Sequence, residues 1–221
     1  MIDIEQYICS LKELLKCSFG SRLVYVGLQG SYLRNEATDS SDLDIMVVID
    51  NLSVADLDTY RRIIDSMPYA DKSCGFICSR ADLASWNPLE IANLLHGTKD
   101  YYGVLHNLVP AFTDDDVRNF VKLSINNLYH EICHRYIHAE TARSVKNLPA
   151  AYKGVFFILQ NLYYLQYGVF IRSKAELLPL LEGKNKEVLK QSMELNAGIS
   201  HEFHDSFTLL FTWCQETLQN I

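Results

Sequence analysis

Asp44-Ile45-Met46-Val47-Val48-Ile49 is apolar on both of its alternating faces once past the opening aspartate. Side chains of a strand point to opposite faces in turn, so a strand with no polar face must be covered on both sides. A chain carrying such a segment has to build a sheet around it, with further elements packed above and below. Leu23-Val24-Tyr25-Val26-Gly27-Leu28 reads as a companion strand, and Cys74-Gly75-Phe76-Ile77-Cys78 as a third. Residues 5–16 place Ile8, Leu11, Leu14 and Leu15 at helical spacing before Gly20, which predicts an amphipathic helix. A short helix or turn starting at Ser31 is expected between the first two strands, and a helix over Asp56–Met67 ends at Pro68.

The pattern changes near Val109-Pro110-Ala111-Phe112. Thr113 followed by Asp114, Asp115 and Asp116 sets a cap and three carboxylates at the start of a long helical stretch, where they suit the positive end of the helix dipole. From there four or five helices are expected, over roughly 115–143, 149–167, 174–182, 185–196 and 201–219, with a capping box at Ser173-Lys174-Ala175-Glu176. The aromatic residues Tyr152, Phe156, Phe157, Tyr163, Tyr164 and Tyr167 fall at helical spacing and are read as core. The organisation is α+β, with an α+β unit over 1–110 and an all-α helical bundle over 111–221.

Composition narrows the partners. The 221 residues are 48% hydrophobic and 21% charged, and no run approaches the roughly 20 apolar residues of a spanning helix, so a membrane is not expected. Met1-Ile2-Asp3-Ile4-Glu5 lacks the basic-then-apolar order of a secretion signal, and the six cysteines form no CxxC pair, which fits reduced thiols in a cytoplasm. A formal net charge of −7 without clustered Lys and Arg leaves no footprint for a nucleic-acid backbone. A neutral or cationic small substrate suits an acidic chain better.

The chemistry concentrates in Gly27-Leu28-Gln29-Gly30-Ser31-Tyr32-Leu33-Arg34, followed by Ser41-Asp42-Leu43-Asp44. Gly30-Ser31 follows a strand and opens a helix, so the backbone can approach a ligand closely and offer free N–H groups to phosphate. Asp42 and Asp44, two residues apart at the mouth of a strand, are expected on one face. Paired carboxylates repel unless a cation lies between them, and oxygen-only ligands favour Mg²⁺ or Mn²⁺ bound together with substrate phosphates.

The pattern Gly-Ser-x-x-Arg followed by Ser-Asp-Leu-Asp resembles the signature of the polymerase-β-like nucleotidyltransferase superfamily. The two-part layout is similar to that of aminoglycoside (kanamycin-type) nucleotidyltransferases and of minimal nucleotidyltransferases with a HEPN-like helical partner. The resemblance implies a small mixed-sheet nucleotidyltransferase domain followed by the helical bundle. It also implies that Gly30 and Ser31 hold the triphosphate of ATP, that Asp42 and Asp44 hold Mg²⁺ (or Mn²⁺), and that Arg34 and Ser41 contact the nucleotide. A nucleoside monophosphate, AMP, then passes to a hydroxyl of a small molecule such as an aminoglycoside-like antibiotic. Family analogues extend the expectation to a homodimer. In the family a later strand usually carries a third carboxylate, yet Ser73–Ser79 has no acid. Asp71 lies just before that strand. By analogy with kanamycin-type enzymes Glu131, on an early helix of the second half, is the expected base, with Asp71 its rival. Transfer to a protein hydroxyl, or a nucleotide-binding regulator without catalysis, are the alternative outcomes.

Two other signals compete. His130-Glu131-Ile132-Cys133-His134 matches the zinc-protease pattern H-E-x-x-H, but without the glycine-containing extension or a distant glutamate ligand, and it is read as a polar helix face. Arg135 and His138 are separated by only two residues, too few for the Arg/His pair of HEPN ribonucleases.

Overall fold

The computed structural model describes residues 2–221. One compact unit ends at Phe112 and a second spans Thr113–Ile221.

In the first unit α1 (Ile4–Phe19) opens with Asp3 accepting a hydrogen bond from the Gln6 backbone N–H, and Gly20 terminates it. It is followed by β1 (Leu23–Leu28), a single helical turn α2 (Gly30–Leu33), β2 (Leu43–Ile49), α3 (Val54–Ser66) and β3 (Ser73–Ser79). A capping box between Ser53 and Asp56 starts α3. The strands form a mixed four-stranded sheet in the order β3-β2-β1-β4. β1 runs antiparallel to both β2 and β4, while β3 lies parallel to β2 after the α3 crossover.

The double-sided burial expected of β2 is met by two separate clusters. Leu43, Ile45, Val47 and Ile49 pack with Ile8, Leu11 and Leu15 of α1 and Ile63 of α3. Met46 and Val48 face the other way, toward Tyr25, Cys78, Leu83, Leu105 and Leu108. A register shift between Leu23 and Tyr25 lets Leu23 share the first face with Val26 and Leu28.

Three elements went unread in the sequence: α4 (Arg80–Ala84), α5 (Pro88–His96) and the edge strand β4 (Lys99–Tyr102). Lys99-Asp100-Tyr101-Tyr102 carries no apolar alternation. It is a strand because β1 offers it an open edge, and because Lys99 and Tyr101 both reach Glu5 of α1.

Among the described residues the second unit has six α-helices rather than four or five helices: α6 (Asp114–His138), α7 (Thr141–Tyr152), α8 (Val155–Tyr167), α9 (Lys174–Leu177), α10 (Gly183–Asn196) and α11 (Phe203–Asn220). The expected helix over 115–143 breaks at Ala139, which is extended. The Ser144 hydroxyl donates to the Arg135 carbonyl there, which also accepts from the Ala139 N–H. The expected helix over 149–167 instead joins parts of α7 and α8, which meet at Lys153-Gly154. Ser173 caps α9 by accepting from the Glu176 N–H, and its hydroxyl donates to the Glu176 carboxylate. Of the aromatic stripe, Tyr152 and Phe156 are core, whereas Phe157 and Tyr167 are exposed. Among the described residues no helix is long and apolar enough to cross a membrane.

Candidate active site

The carboxylates and the glycine turn meet at the start of β2. Gln29 donates its backbone N–H to the Asp44 carbonyl at 2.8 Å, which extends the β1–β2 pairing to the residue before the turn. Gly30 follows with φ of +69°, a left-handed conformation that favours glycine. A β-carbon at Gly30 would lie 1.8 Å from Asp44 Oδ2 and 2.6 Å from its Cγ. The glycine is therefore required by the Asp44 carboxylate itself, a more specific reason than the close ligand approach read from the sequence. Because α2 is one turn long, phosphate binding here would rest on a few backbone N–H groups and the Ser31 hydroxyl rather than on a macrodipole. That hydroxyl makes no hydrogen bond among the described residues.

Asp42 is exposed and lies one residue ahead of β2, so strand alternation does not govern it; Asp44 is half-buried within the strand. Burial raises the Asp44 carboxyl above its ordinary value, and the Asp42 charge raises it further. Arg34 and the Cys74 thiol, which donates a hydrogen bond to Asp44, work in the opposite direction. Arg34 Nε also pairs with Glu36 Oε2 at 3.0 Å. Ser41 Oγ accepts from the Thr38 N–H at 2.8 Å and shares a hydrogen with the Thr38 hydroxyl, so it closes the turn that delivers Asp42. Gly30, Ser31, Arg34, Ser41, Asp42 and Asp44 thus belong to one short region of the first unit.

The neighbouring strand adds a residue that the sequence reading passed over. β2 and β3 pair in parallel with Asp44 opposite Cys74, so a thiol stands where a third carboxylate would share the face. Burial and the two aspartates hold that thiol protonated, its pKa pushed up. Only the register identifies Cys74; its spacing from Asp44 carries no local signal. Asp71 sits in a 3-10 turn before β3 and is exposed. Gln29 Nε2 donates to Thr98 Oγ1 at 2.9 Å, tying the residue before Gly30 to the segment that leads into β4. Glu131 belongs to the second unit, on α6, where Arg135 holds its carboxylate in an ion pair at 2.8 Å.

The donor set fits a hard divalent cation. Two carboxylates within mutual electrostatic reach, one of them disfavoured in its charged form, are stabilised by a shared cation. No group of three or more metal-binding side chains occurs among the described residues, so substrate oxygens and water would complete the coordination.

Residues 8–73 match the family model of the nucleotidyltransferase domain. With the mixed sheet and the Gly30–Asp44 arrangement, the match defines the class of the first unit, a nucleotidyltransferase domain. The whole chain is similar to spectinomycin adenyltransferase from Enterococcus faecialis, in a structure with ATP and spectinomycin. Identity is 16% and the TM-score 0.59, with 97% of this chain and 99% of that chain covered, a likeness of fold across both units. A nucleotidyltransferase-like protein from Exiguobacterium sibiricum aligns at 11% identity and a TM-score of 0.42, covering 98% of this chain and 75% of that one. No curated protein sequence matches the chain.

Proposed function

We propose that the protein transfers AMP from ATP, with Mg²⁺ (or Mn²⁺) bound at Asp42 and Asp44, to a hydroxyl of a small amine-bearing molecule of the aminoglycoside-antibiotic sort. The observation that carries this reading is the packing of Gly30 against Asp44, which supports a turn suited to phosphate lying beside a carboxylate suited to a metal. The likeness of fold to a spectinomycin adenyltransferase solved with ATP and spectinomycin supports the choice of nucleotide and acceptor class. The acidic net charge of −7 suits a cationic acceptor.

In this reading Asp42 and Asp44 would hold the divalent ion, which would supply charge neutralisation to the phosphates. The backbone N–H groups at Gly30-Ser31 and the Ser31 hydroxyl hold the triphosphate, Arg34 adds a cation beside Asp44, and Ser41 fixes the turn that carries Asp42. The acceptor oxygen bonds to the α-phosphorus, pyrophosphate leaves, and the hydroxyl proton passes to a carboxylate. Glu131 is the proposed base and must exchange Arg135 for the acceptor hydroxyl; Asp71 is the rival. Six unbridged cysteines suit a reducing cytoplasm, and a homodimer is the proposed assembly.

One observation favours a second reading. With Cys74 rather than an acid beside Asp44, the domain is also suited to bind nucleotide as a regulator without turnover. Calorimetric titration with Mg·ATP, followed by pyrophosphate release over a panel of hydroxylated amines and protein acceptors, separates the two. Binding with acceptor-dependent release supports transfer, and release only on protein acceptors moves the acceptor from small molecule to polypeptide. Binding without release on any acceptor supports the regulator. Absence of Mg·ATP binding overturns both.

A further inference from the structure

The histidines of the H-E-x-x-H match on α6 have no part in the proposed nucleotide site, and the structure gives them a distinct arrangement. His130, His134 and His138 recur every four residues along one exposed face of the last turns of α6. Ring centroids are 6.0 Å apart for His130 and His134 and 4.8 Å apart for His134 and His138. None of the three makes a hydrogen bond or ion pair among the described residues, so their ring nitrogens are uncommitted.

Two imidazoles on one zinc-class ion have metal–nitrogen distances of about 2.0–2.1 Å, and with the ring centroid about 1.1 Å beyond the nitrogen, tetrahedral geometry puts the two centroids about 5 Å apart. The observed separations bracket that value, so small side-chain rotations close either pair on an ion. His134 belongs to both pairs. The location favours a cation, because the open carbonyls at the end of a helix carry the negative end of its dipole. Arg135, the nearby positive side chain, is already neutralised by Glu131 at 2.8 Å.

We infer that the His130/His134/His138 face of α6 is a chelating site for a borderline-soft divalent cation of the Zn²⁺ and Ni²⁺ class, centred on His134. Imidazole donors select such ions over Mg²⁺ and Ca²⁺, which prefer oxygen. With no cluster of three or more metal-binding side chains among the described residues, water fills the remaining positions, and the ion exchanges with solvent. The site is separate in chemistry from the carboxylate pair and does not depend on the nucleotide reading.

The test uses the full chain carrying Asp44→Asn, with accessible thiols alkylated, so that neither the carboxylates nor Cys9, Cys17 and Cys74 contribute. Zn²⁺ and, separately, Ni²⁺ are titrated by calorimetry and the melting temperature is followed. The expected result is one bound equivalent with a raised melting temperature, unaffected by excess Mg²⁺. His134→Ala should abolish that equivalent, whereas His130→Ala should weaken it and leave it detectable. Alanine is the best helix former, so these variants keep α6. Unchanged stoichiometry and affinity in His134→Ala, or displacement of Zn²⁺ by Mg²⁺, would overturn the assignment.

Discussion

Replacing Gly30 with alanine isolates the contact on which the candidate site is built. The added methyl would sit 1.8 Å from Asp44 Oδ2, and real β-carbons essentially never approach within 3.0 Å, so the carboxylate has to move by more than 1 Å. The backbone adds its own cost: a left-handed conformation at φ +69° disfavours any residue with a β-carbon by about 1–2 kcal/mol. In a chain of this length that lowers the melting temperature by about 2–8 °C, at roughly 2–4 °C per kcal/mol. The functional loss should be larger, because a displacement of about 1 Å at a reacting centre costs on the order of 100-fold in rate. Gly168→Ala is the matched control. Gly168 has the same φ of +69°, but nothing lies within 4 Å of its added carbon. Scanning fluorimetry and Mg·ATP calorimetry on both variants should therefore show similar losses of stability, with nucleotide affinity and turnover lost in Gly30→Ala alone. A folded Gly30→Ala protein with wild-type Mg·ATP affinity would refute the link between this turn and the phosphates. Equal loss of affinity in both variants would show that only global stability had been measured.

Asp42→Asn and Asp44→Asn should each abolish Mg²⁺-dependent ATP binding with the fold intact, and Asp44→Asn should leave the melting temperature unchanged or raised, since it removes a charge that burial disfavours; circular dichroism and calorimetry check both. Glu131→Gln should cut turnover by about 10²–10⁴-fold while sparing Mg·ATP affinity, and steady-state pyrophosphate release in Asp71→Asn assigns the role to Asp71 if the loss appears there instead. The Arg22 guanidinium and Ser53 hold the Asp56 carboxyl well below the usual carboxylate range. A depressed folded-state value stabilises the protein above the unfolded value of about 3.9, and the contribution fades as pH falls toward the folded one. Urea melts should show Asp56→Asn less stable than wild type at neutral pH, with the gap shrinking steadily below about pH 4; a gap independent of pH would remove the ion pair from the account.

Much of this protein was legible from local pattern. The double-sided apolar run of β2 demanded a central strand, because a buried strand must be apolar on every face it hides, and both clusters packed on it follow from that demand. Caps at Thr113 and Ser173 were readable for the same reason, since a cap is an interaction between residues three apart, whereas the Ser53 cap, three residues ahead of the expected helix start, was not. The motif Gly30-Ser31 with Asp42 and Asp44 pointed to a nucleotidyltransferase domain by residue type and order alone, and residues 8–73 match the model of that domain. Other features were decided only when distant segments met. β4 exists because β1 has an open edge, and nothing in Lys99-Asp100-Tyr101-Tyr102 encodes that edge. The parallel register that puts Cys74 opposite Asp44 is set by the length and packing of the α3 crossover, and it determines that a thiol rather than an acid shares the site. The necessity of glycine at position 30 likewise comes from a carboxylate fourteen residues away, brought beneath it by strand pairing. Local sequence specifies which faces must be buried; only the folded sheet specifies which side chains then share a face.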